Sequence, residues 1–287
     1  MKEMRSNYSI EEIRQYLQQL RDNPHLSTGY REWDALTSGL IPGELTLIGS
    51  RPCMGRSCFA LGIANFVSKY NSGTVAIVSP KESEEEVAVR LLQFCIGTKA
   101  TNLLDGSLSE EEISAICYDH LMKRCGKAEV IHLTAPTLSD IQRWAESFLD
   151  LRLLIVDNIE YIYKPILSIP DDGKVFEPER VPMPKLIHCL KRLAQILDVP
   201  VICTAYLHRS LENRKNKRPR LKDLEKINVP IELVDQVVFL YRDGYYYEHS
   251  RRDAAECIIA KSSNGQTGTV QLEWHPETGE FRNLENS

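Results

Sequence analysis

The sequence lacks the features that mark membrane proteins, secreted disulfide frameworks and zinc sites. No apolar run reaches the roughly 18 residues that a transmembrane helix needs, and no charged-then-apolar leader precedes a small-residue cleavage site. The eight cysteines include no CxxC pair, no two histidines have metal-ligand spacing, and no segment is repeated. We therefore expect a cytoplasmic protein whose cysteines are reduced and mostly buried.

The charge balance excludes a chain that is basic throughout. The net charge is −5, so a surface that binds nucleic acid would have to be local. Hydrophobic residues make up 43% and charged residues 26%, which is ordinary for a globular protein. A length of 287 residues permits one large α/β domain or two small ones.

Residues 44–57, ELTLIGSRPCMGRS, are the most informative stretch. A short apolar run is followed by a sharp turn and then by apolar residues at helical spacing, which is the context of a phosphate-binding P-loop. Backbone N–H groups of the turn and the positive end of the helix dipole form an anion site. The predicted nucleotide-binding residues are Ser50, Arg51, Pro52, Cys53, Met54, Gly55, Arg56, Ser57 and Cys58.

Two residues depart from the general P-loop pattern GxxxxGK[ST]. Ser50 replaces the first glycine and Arg56 replaces the lysine. Lysine is a compact charge, whereas arginine is a planar fork, so Arg56 can hold phosphate charge only with a different geometry. Gly55 would allow the close approach of a phosphate, and the Ser57 hydroxyl would ligate Mg²⁺. An ordinary tight turn between a strand and a helix is the alternative interpretation.

Short apolar strands alternate with helical segments along most of the chain. This alternation predicts an α/β fold with a mostly parallel sheet flanked by helices, and β-rich C-terminal residues predict antiparallel edge strands. Near the N-terminus, residues 9–20 predict an amphipathic helix that packs either on its own domain or on a neighbouring subunit. Further strands are predicted at residues 74–80, 128–133, 152–158, 199–206, 235–243, 255–261 and 268–274, and further helices at 83–97, 109–124, 137–150 and 185–198.

Asp157 follows an almost wholly apolar strand. Ligands of open α/β sheets bind at the carboxyl ends of the strands, where this carboxylate would hold Mg²⁺. The alternative is an aspartate that caps a turn.

A basic loop follows the strand predicted at 199–206. It carries seven Lys or Arg residues in sixteen, which predicts local contacts to the phosphates of nucleic acid. A solvated, mobile loop is the alternative. The predicted DNA-binding residues are Arg209, Arg214, Lys215, Lys217, Arg218, Arg220 and Lys222.

These motifs, taken in order, resemble the RecA-like ATPase domain of DnaB-type replicative helicases. STGYREWDALTSGLIPGELTLIGSRPCMGRSCFAL is similar to that family's P-loop region, LLIVDNIEYI to its Walker B strand, and VPVICTAYLHRSLENRKNKRPRLKDL to its VPVxxLSQLNRxxExRxxKRPxxxDL. VVFLYRDGYYYE and IIAKSSNGQTGTVQLEW resemble its last strands. The resemblance covers about residues 27–285 and implies a RecA-like P-loop fold.

The resemblance implies ATP or another NTP with Mg²⁺, single-stranded DNA, and a homo-oligomer for which a hexameric ring is possible. Asp157 would be the Walker B residue, and loops 163–184 and 208–226 would face DNA in a central channel. Lys261, Ser263, Asn264 and Gly265 would face the nucleotide of a neighbouring subunit.

The resemblance also implies a domain organisation. Residues 1–26 would be an N-terminal segment whose helix at 9–20 falls where the family has a linker helix, and residues 27–287 would be the helicase domain. We expect the chain to lack the family's separate N-terminal domain, which serves ring assembly and primase contact.

The departures from the family concentrate on catalytic positions. Lys81 stands at the family's water-activating glutamate, Tyr206 at its sensor glutamine, and Ser263 at its arginine finger. Glu82 is one residue further on, and strand alternation predicts that it faces the other way. We therefore expect weak or absent ATP hydrolysis. One alternative is an active 5′–3′ helicase with a rearranged site, in which Glu82 is the base, Arg56 is the phosphate clamp and Asp157 is the second catalytic residue. The other is a non-catalytic paralogue that binds only DNA or a partner protein.

Overall fold

A nine-stranded sheet organises the part of the chain that the computed structural model describes, residues 14, 25–96, 109–114, 128–133, 136–164 and 179–285. In chain order the strands are β1 (Leu45–Ser50), β2 (Thr74–Ser79), β3 (Ala128–His132), β4 (Leu151–Val156), β5 (Val201–Tyr206), β6 (Gln236–Tyr241), β7 (Ala254–Ser262), β8 (Gly268–His275) and β9 (Glu280–Asn283). They lie side by side in the order β3-β2-β4-β5-β1-β6-β7-β8-β9. The first six strands of the chain pair in parallel and the last three in antiparallel fashion, as predicted.

Helices cover both faces of this sheet. They are α1 (Arg31–Thr37), α2 (Arg56–Tyr70), α3 (Glu84–Ile96), α4 (Leu138–Glu146), α5 (Met183–Leu197), and the one-turn helices α6 (Lys222–Glu225) and α7 (Asp243–Tyr246). Residues 110–114 are also helical, and single 3₁₀ turns occur at Ile159–Tyr161, Arg209–Asn213 and Ile231–Leu233.

The core divides into two apolar layers, one on each face of the sheet. Phe59 and Ile63 of α2 pack with Ile77 of β2 on one face. On the other face, α4 and α5 pack against strand residues such as Leu154. Because the central strands are apolar on both sides, β1 and β2 are buried along their whole length.

Most predicted elements are confirmed within one to three residues of their bounds. The short strand β9 was not predicted, because four residues of mixed character give little periodicity. Apart from residue 14, which is helical, residues 9–20 lie outside the described residues, as does the later part of the helix predicted at 109–124. Among the described residues, each helix is too short or too polar to span a bilayer.

The parallel strands bring distant segments of the chain to one edge of the sheet, which we call the carboxyl edge. Ser50, the last residue of β1, lies beside Tyr206, the last residue of β5. Val78 of β2 lies beside Val156 of β4. The turn after β1, the segment after β2, and Asp157 after β4 therefore converge at this edge.

Candidate functional site

The predicted P-loop forms the turn between β1 and α2. Gly55 precedes α2 in a left-handed conformation, with φ of +91°, which favours glycine. A Cβ atom at this position would lie 2.8 Å from the Phe281 ring and 3.1 Å from the Trp274 ring. Gly55 is therefore required both by backbone conformation and by the aromatic residues packed against it.

A pocket of about 150 Å³ opens beside this turn. It is lined by Ser50, Arg51, Cys53, Gly55, Arg56, Ser57, Cys58, Lys81, Glu82, Arg90 and Tyr206. Of the nine predicted nucleotide-binding residues, seven line the pocket, while Pro52 is exposed and Met54 is buried in the core. The binding roles of all nine remain predictions.

Arg56 is buried at the floor of this pocket rather than extended into solvent. Its side chain is only 3% exposed, and the guanidinium stacks on the Tyr206 ring, 3.8 Å from the ring centroid. The Nε atom lies 4.0 Å from Oδ1 of Asp157. Nε and Nη1 are buried and find no hydrogen-bond partner in the described part of the chain. Arg56 thus brings buried positive charge and unused donors to the pocket.

Two carboxylates lie next to this guanidinium. Asp157 is 9% exposed and accepts a hydrogen bond from the Thr204 hydroxyl. Glu160 accepts a hydrogen bond from the backbone N–H of Tyr206. Burial raises the pKa of Glu160, an effect that the nearby charge of Arg56 partly opposes. The sequence motifs pointed to Asp157 but not to Glu160.

The position of Glu82 corrects the prediction that it faces away. β2 ends at Ser79, so strand alternation no longer applies at residue 82, and both Lys81 and Glu82 line the pocket. The Glu82 carboxylate pairs with Nη2 of Arg90 at 2.9 Å. Burial raises the pKa of Glu82, against the lowering effect of Arg90.

Arg90 is a pocket residue that sequence reasoning missed. It lies on α3, and its Nη1 also contacts the Cys58 sulfur at 3.7 Å. No local motif marks it, because the contact depends on how α3 packs against α2.

A second arginine joins the P-loop to the basic loop. Arg51 donates to the Leu207 carbonyl at 2.7 Å and pairs with Glu212 at 3.0 Å. Glu212 also accepts a hydrogen bond from the Tyr246 hydroxyl. A network of polar contacts therefore links the two segments that were predicted to bind nucleotide and DNA.

The basic loop divides into internally paired and exposed cations. Arg214 forms two 2.9 Å hydrogen bonds with the Asp223 carboxylate, and Arg218 forms bonds of 2.7 and 2.6 Å with Glu256. Lys217 lies against the rings of Tyr246 and Tyr247. The exposed members are Arg209, Lys215, Arg220 and Lys222.

Of the other loop predicted to face DNA, 163–184, residues 165–178 lie outside the described residues.

The turn after β7 lies at the opposite edge of the sheet, which we call the amino edge. Gln236 of β6 pairs with Ser262 of β7 and lies beside Thr46 near the start of β1. Ser263 therefore sits a strand length from the P-loop, about 20 Å for six residues. Within its own chain, the backbone N–H of Ser263 donates to the Asp235 carbonyl, while its side chain is exposed.

The neighbours of Ser263 are also held by their own chain. The Lys261 ammonium donates to the carbonyls of Ile231 and Val234 at 2.7 and 2.5 Å. Asn264 donates to the Glu44 carboxylate. A Cβ atom at Gly265 would lie 2.4 Å from the Leu36 carbonyl oxygen. The amino edge therefore presents an ordered turn whose tip is exposed.

The pocket fits phosphate better than it fits Mg²⁺. The helix terminus, Gly55 and the unused donors of Arg56 suit an anion. A Mg²⁺ ion on Ser57 and Asp157 would share its carboxylate with the Arg56 guanidinium and the Thr204 hydroxyl. Among the described residues, no cluster of three or more His, Cys, Asp or Glu side chains could hold a metal ion.

Comparison with known proteins agrees with this architecture. The family described as the DnaB-like helicase C-terminal domain matches residues 25–283. The replicative DNA helicase DnaB of Geobacillus stearothermophilus is 33% identical over 91% of this chain and 57% of its own length. The replicative DNA helicase DnaC of Bacillus subtilis is 30% identical, with the same coverage of both chains. This chain thus spans little more than half the length of these relatives.

Solved structures support the same assignment. An ATPase domain aligns over 98% of this chain and its own full length, with a TM-score of 0.82 and 25% identity. A DnaB-like replicative helicase, studied for its interactions with primase, aligns over 98% of this chain and 68% of its own, with a TM-score of 0.79 and 25% identity. The predicted RecA-like fold is confirmed, and the chain belongs to the DnaB-like helicase C-terminal domain family.

Proposed function

We propose that this chain is a cytoplasmic DNA-replication protein that binds nucleotide and single-stranded DNA but hydrolyses ATP slowly or not at all. The observation that carries the proposal is the position of Arg56. A P-loop lysine serves by reaching the β- and γ-phosphates. Here the cation is buried, stacked on Tyr206 and directed at Asp157. Because the guanidinium already contacts Asp157 and Tyr206, it is poorly placed to stabilise the charge that develops on the transferred phosphoryl group.

The environment of Glu82 supports slow hydrolysis. A general base needs a free carboxylate within reach of the attacking water. Glu82 is already paired with Arg90 at 2.9 Å, and Lys81 occupies the position that resembles the family's glutamate. Arg90 and Lys81 both act to lower the pKa of Glu82, against the larger raising effect of burial, and the ion pair occupies the carboxylate that a base would need free.

The amino edge supports an oligomer in which neighbouring chains complete each other's sites. Ser263 cannot reach the P-loop of its own chain, because the two lie at opposite edges of the sheet. In a ring, this turn would face the pocket of the next subunit. An arginine finger is worth about 10³–10⁵ in rate in such NTPases, and Ser263 cannot supply that charge.

The exposed cations of the basic loop support binding to single-stranded DNA. Four of the seven predicted residues present their charge to solvent, and Arg214 and Arg218 fix the loop by ion pairs. Contacts of this kind hold phosphates without reading sequence.

The test is ATP hydrolysis by the purified protein, with and without single-stranded DNA, with Asp157→Ala as the control. We expect turnover far below about 1 s⁻¹, the lower end for typical enzymes. The double variant Lys81→Glu, Ser263→Arg is expected to gain activity. DNA-stimulated turnover above that rate, lost in Asp157→Ala, would contradict slow hydrolysis.

An active 5′–3′ helicase is a second candidate, favoured by one observation. Glu82 lines the pocket, and burial raises the pKa of its carboxyl above the usual value, a shift in the direction that favours a general base. In that case Glu82→Gln would abolish turnover, whereas the exposed Glu84→Gln on the same segment would not. Strand separation with 5′–3′ polarity would identify this activity.

A further inference from the structure

The metal position expected in this pocket is already next to a cation of the protein. Asp157 Oδ1 lies 4.0 Å from Arg56 Nε and accepts a hydrogen bond from Thr204. Both side chains are largely buried, so water and salt screen their interaction weakly. A divalent cation on the same carboxylate would be repelled by the guanidinium.

The same arginine has donors that a phosphate would satisfy. Nε and Nη1 of Arg56 are buried and form no hydrogen bond with any described residue, although Arg56 lines the pocket. Buried donors without hydrogen bonds are costly, and phosphate oxygens, like carboxylate oxygens, are among the acceptors that a guanidinium binds most strongly. The unpartnered donors thus point to an anionic ligand.

Other cations surround the pocket. Lys81, Arg90 and Arg51 line it together with Arg56, and Glu82 is the one carboxylate among the described lining residues. Arg90 pairs with Glu82 and Arg51 with Glu212, whereas the Lys81 side chain is exposed at the rim. Lysine, arginine and Mg²⁺ can all neutralise a phosphate chain, so side chains here can supply the charge that a metal provides elsewhere.

We infer that the pocket binds the phosphate chain of a nucleotide as the metal-free anion, with Arg56 and Lys81 taking the place of Mg²⁺. This inference rests on the proposed nucleotide binding and deepens it. It assigns Arg56 to the phosphate oxygens and leaves Asp157 as the partner that orients the guanidinium.

Titration calorimetry of the full chain with ATP and with inorganic pyrophosphate, in EDTA and in excess Mg²⁺, tests the inference. We expect the Kd of each ligand in EDTA to be lower than its Kd in excess Mg²⁺, or at most about threefold higher. Binding that Mg²⁺ tightens by about tenfold or more would overturn the inference and leave the proposed function intact. If neither ligand binds under either condition, the proposed nucleotide binding itself fails.

A pair of arginine-to-lysine variants sharpens the result. Arg56→Lys replaces the stacked guanidinium with a smaller charge and frees Asp157, so we expect Mg²⁺ to tighten ATP binding by about tenfold in this variant. The matched control is Arg252→Lys at an exposed position away from the pocket, which should behave as wild type. Mn²⁺ paramagnetic resonance in the presence of ATP gives an independent readout.

We expect no protein-bound Mn²⁺ in wild type and bound Mn²⁺ in Arg56→Lys. Protein-bound Mn²⁺ in wild type would overturn the inference. Should Arg56→Lys not fold, the calorimetry and resonance of wild type still decide the question.

Discussion

The two edges of the sheet carry departures from the family pattern in different ways. At the carboxyl edge, Arg56 and Tyr206 have become packing partners, with the guanidinium 3.8 Å from the ring centroid and almost wholly buried. At the amino edge, Ser263 is exposed and its hydroxyl donates to the backbone carbonyl of Asp235. Arg56 and Tyr206 thus contribute to the packing at the carboxyl edge, whereas Ser263 lies on the surface.

This difference indicates which departures can be reversed. A buried residue that has acquired partners cannot be exchanged without loss of those contacts, and an exposed one can. Restoring family residues at the carboxyl edge should therefore cost stability, while restoring them at the amino edge should not. The predictions that follow test this contrast, from the largest expected effect to the smallest.

Arg56→Met should have the largest effect on stability. The substitution leaves Asp157 and Glu160 close together and buried without their cation, and breaking a buried pair costs about 3–5 kcal/mol. Urea unfolding measures the loss. The control is Arg90→Met, which removes a partly exposed pair and should cost about 1 kcal/mol or less. Equal losses in the two variants would contradict a structural role for Arg56.

Glu44 should make stability depend on pH at the amino edge. Burial, and then the nearby charge of Asp235, raises the pKa of Glu44 to about 7, with Lys191 and Asn264 opposing the shift. The folded state then binds this proton more tightly than the unfolded chain. The stabilising contribution is present below about pH 4.5 and is lost as the pH rises towards 7, by up to about 3 kcal/mol.

Glu44→Gln should remove that slope. The variant should be more stable than wild type at pH 8, and its free energy of unfolding should no longer decline between about pH 4.5 and 7. The exposed Glu32→Gln is the matched control and should leave the profile unchanged. An identical pH profile in wild type and Glu44→Gln would refute the assignment.

Arg214 and Lys215 are adjacent cations, but replacing the first should reduce stability and replacing the second should weaken DNA binding. Arg214→Ala removes two charge-assisted hydrogen bonds to Asp223 and should cost about 2 kcal/mol in urea unfolding. Lys215→Ala should change stability by less than about 0.5 kcal/mol. It should instead reduce the salt dependence of single-stranded DNA binding by about 0.7 in log–log slope. If Lys215→Ala leaves that slope unchanged, its side chain does not contact DNA.

Tyr206→Gln and Ser263→Arg restore family residues at the two edges. Loss of the ring under Arg56 should cost about 1–2 kcal/mol, because the cation–π contact is buried. Ser263→Arg should change the free energy of unfolding by no more than about 0.5 kcal/mol. Thermal unfolding of both variants provides the comparison, and equal losses would remove the contrast between the edges.

Local sequence patterns were sufficient to predict most strands and helices, the turn after β1 and the position of Asp157. Apolar runs such as 74–79 are long enough to identify strands, and Gly55 with the following helix marks the turn. Asp157 was placed because parallel strands end at a common edge.

The rest of the site depends on contacts between segments that are far apart in sequence. Arg90 and Glu160 enter the site through the packing of α3 and the 3₁₀ turn after β4, for which no short motif exists. Glu82 was misplaced because strand alternation was extended to residue 82, which lies in the turn after β2. Which cations of the basic loop are paired depends on Asp223, which is close in sequence, and on Glu256, which lies on the distant strand β7.

Gly55 is packed against Phe281 and Trp274, residues near the far end of the chain. A ribosome synthesises those aromatic residues only after the sheet's parallel strands have been made, and a domain generally folds as a unit. Until β8 and β9 add to the sheet, the turn after β1 lacks the surface that holds its glycine in place. The turn after β1 can therefore reach its final packing only once these late strands are in place, so we expect nucleotide binding to require them.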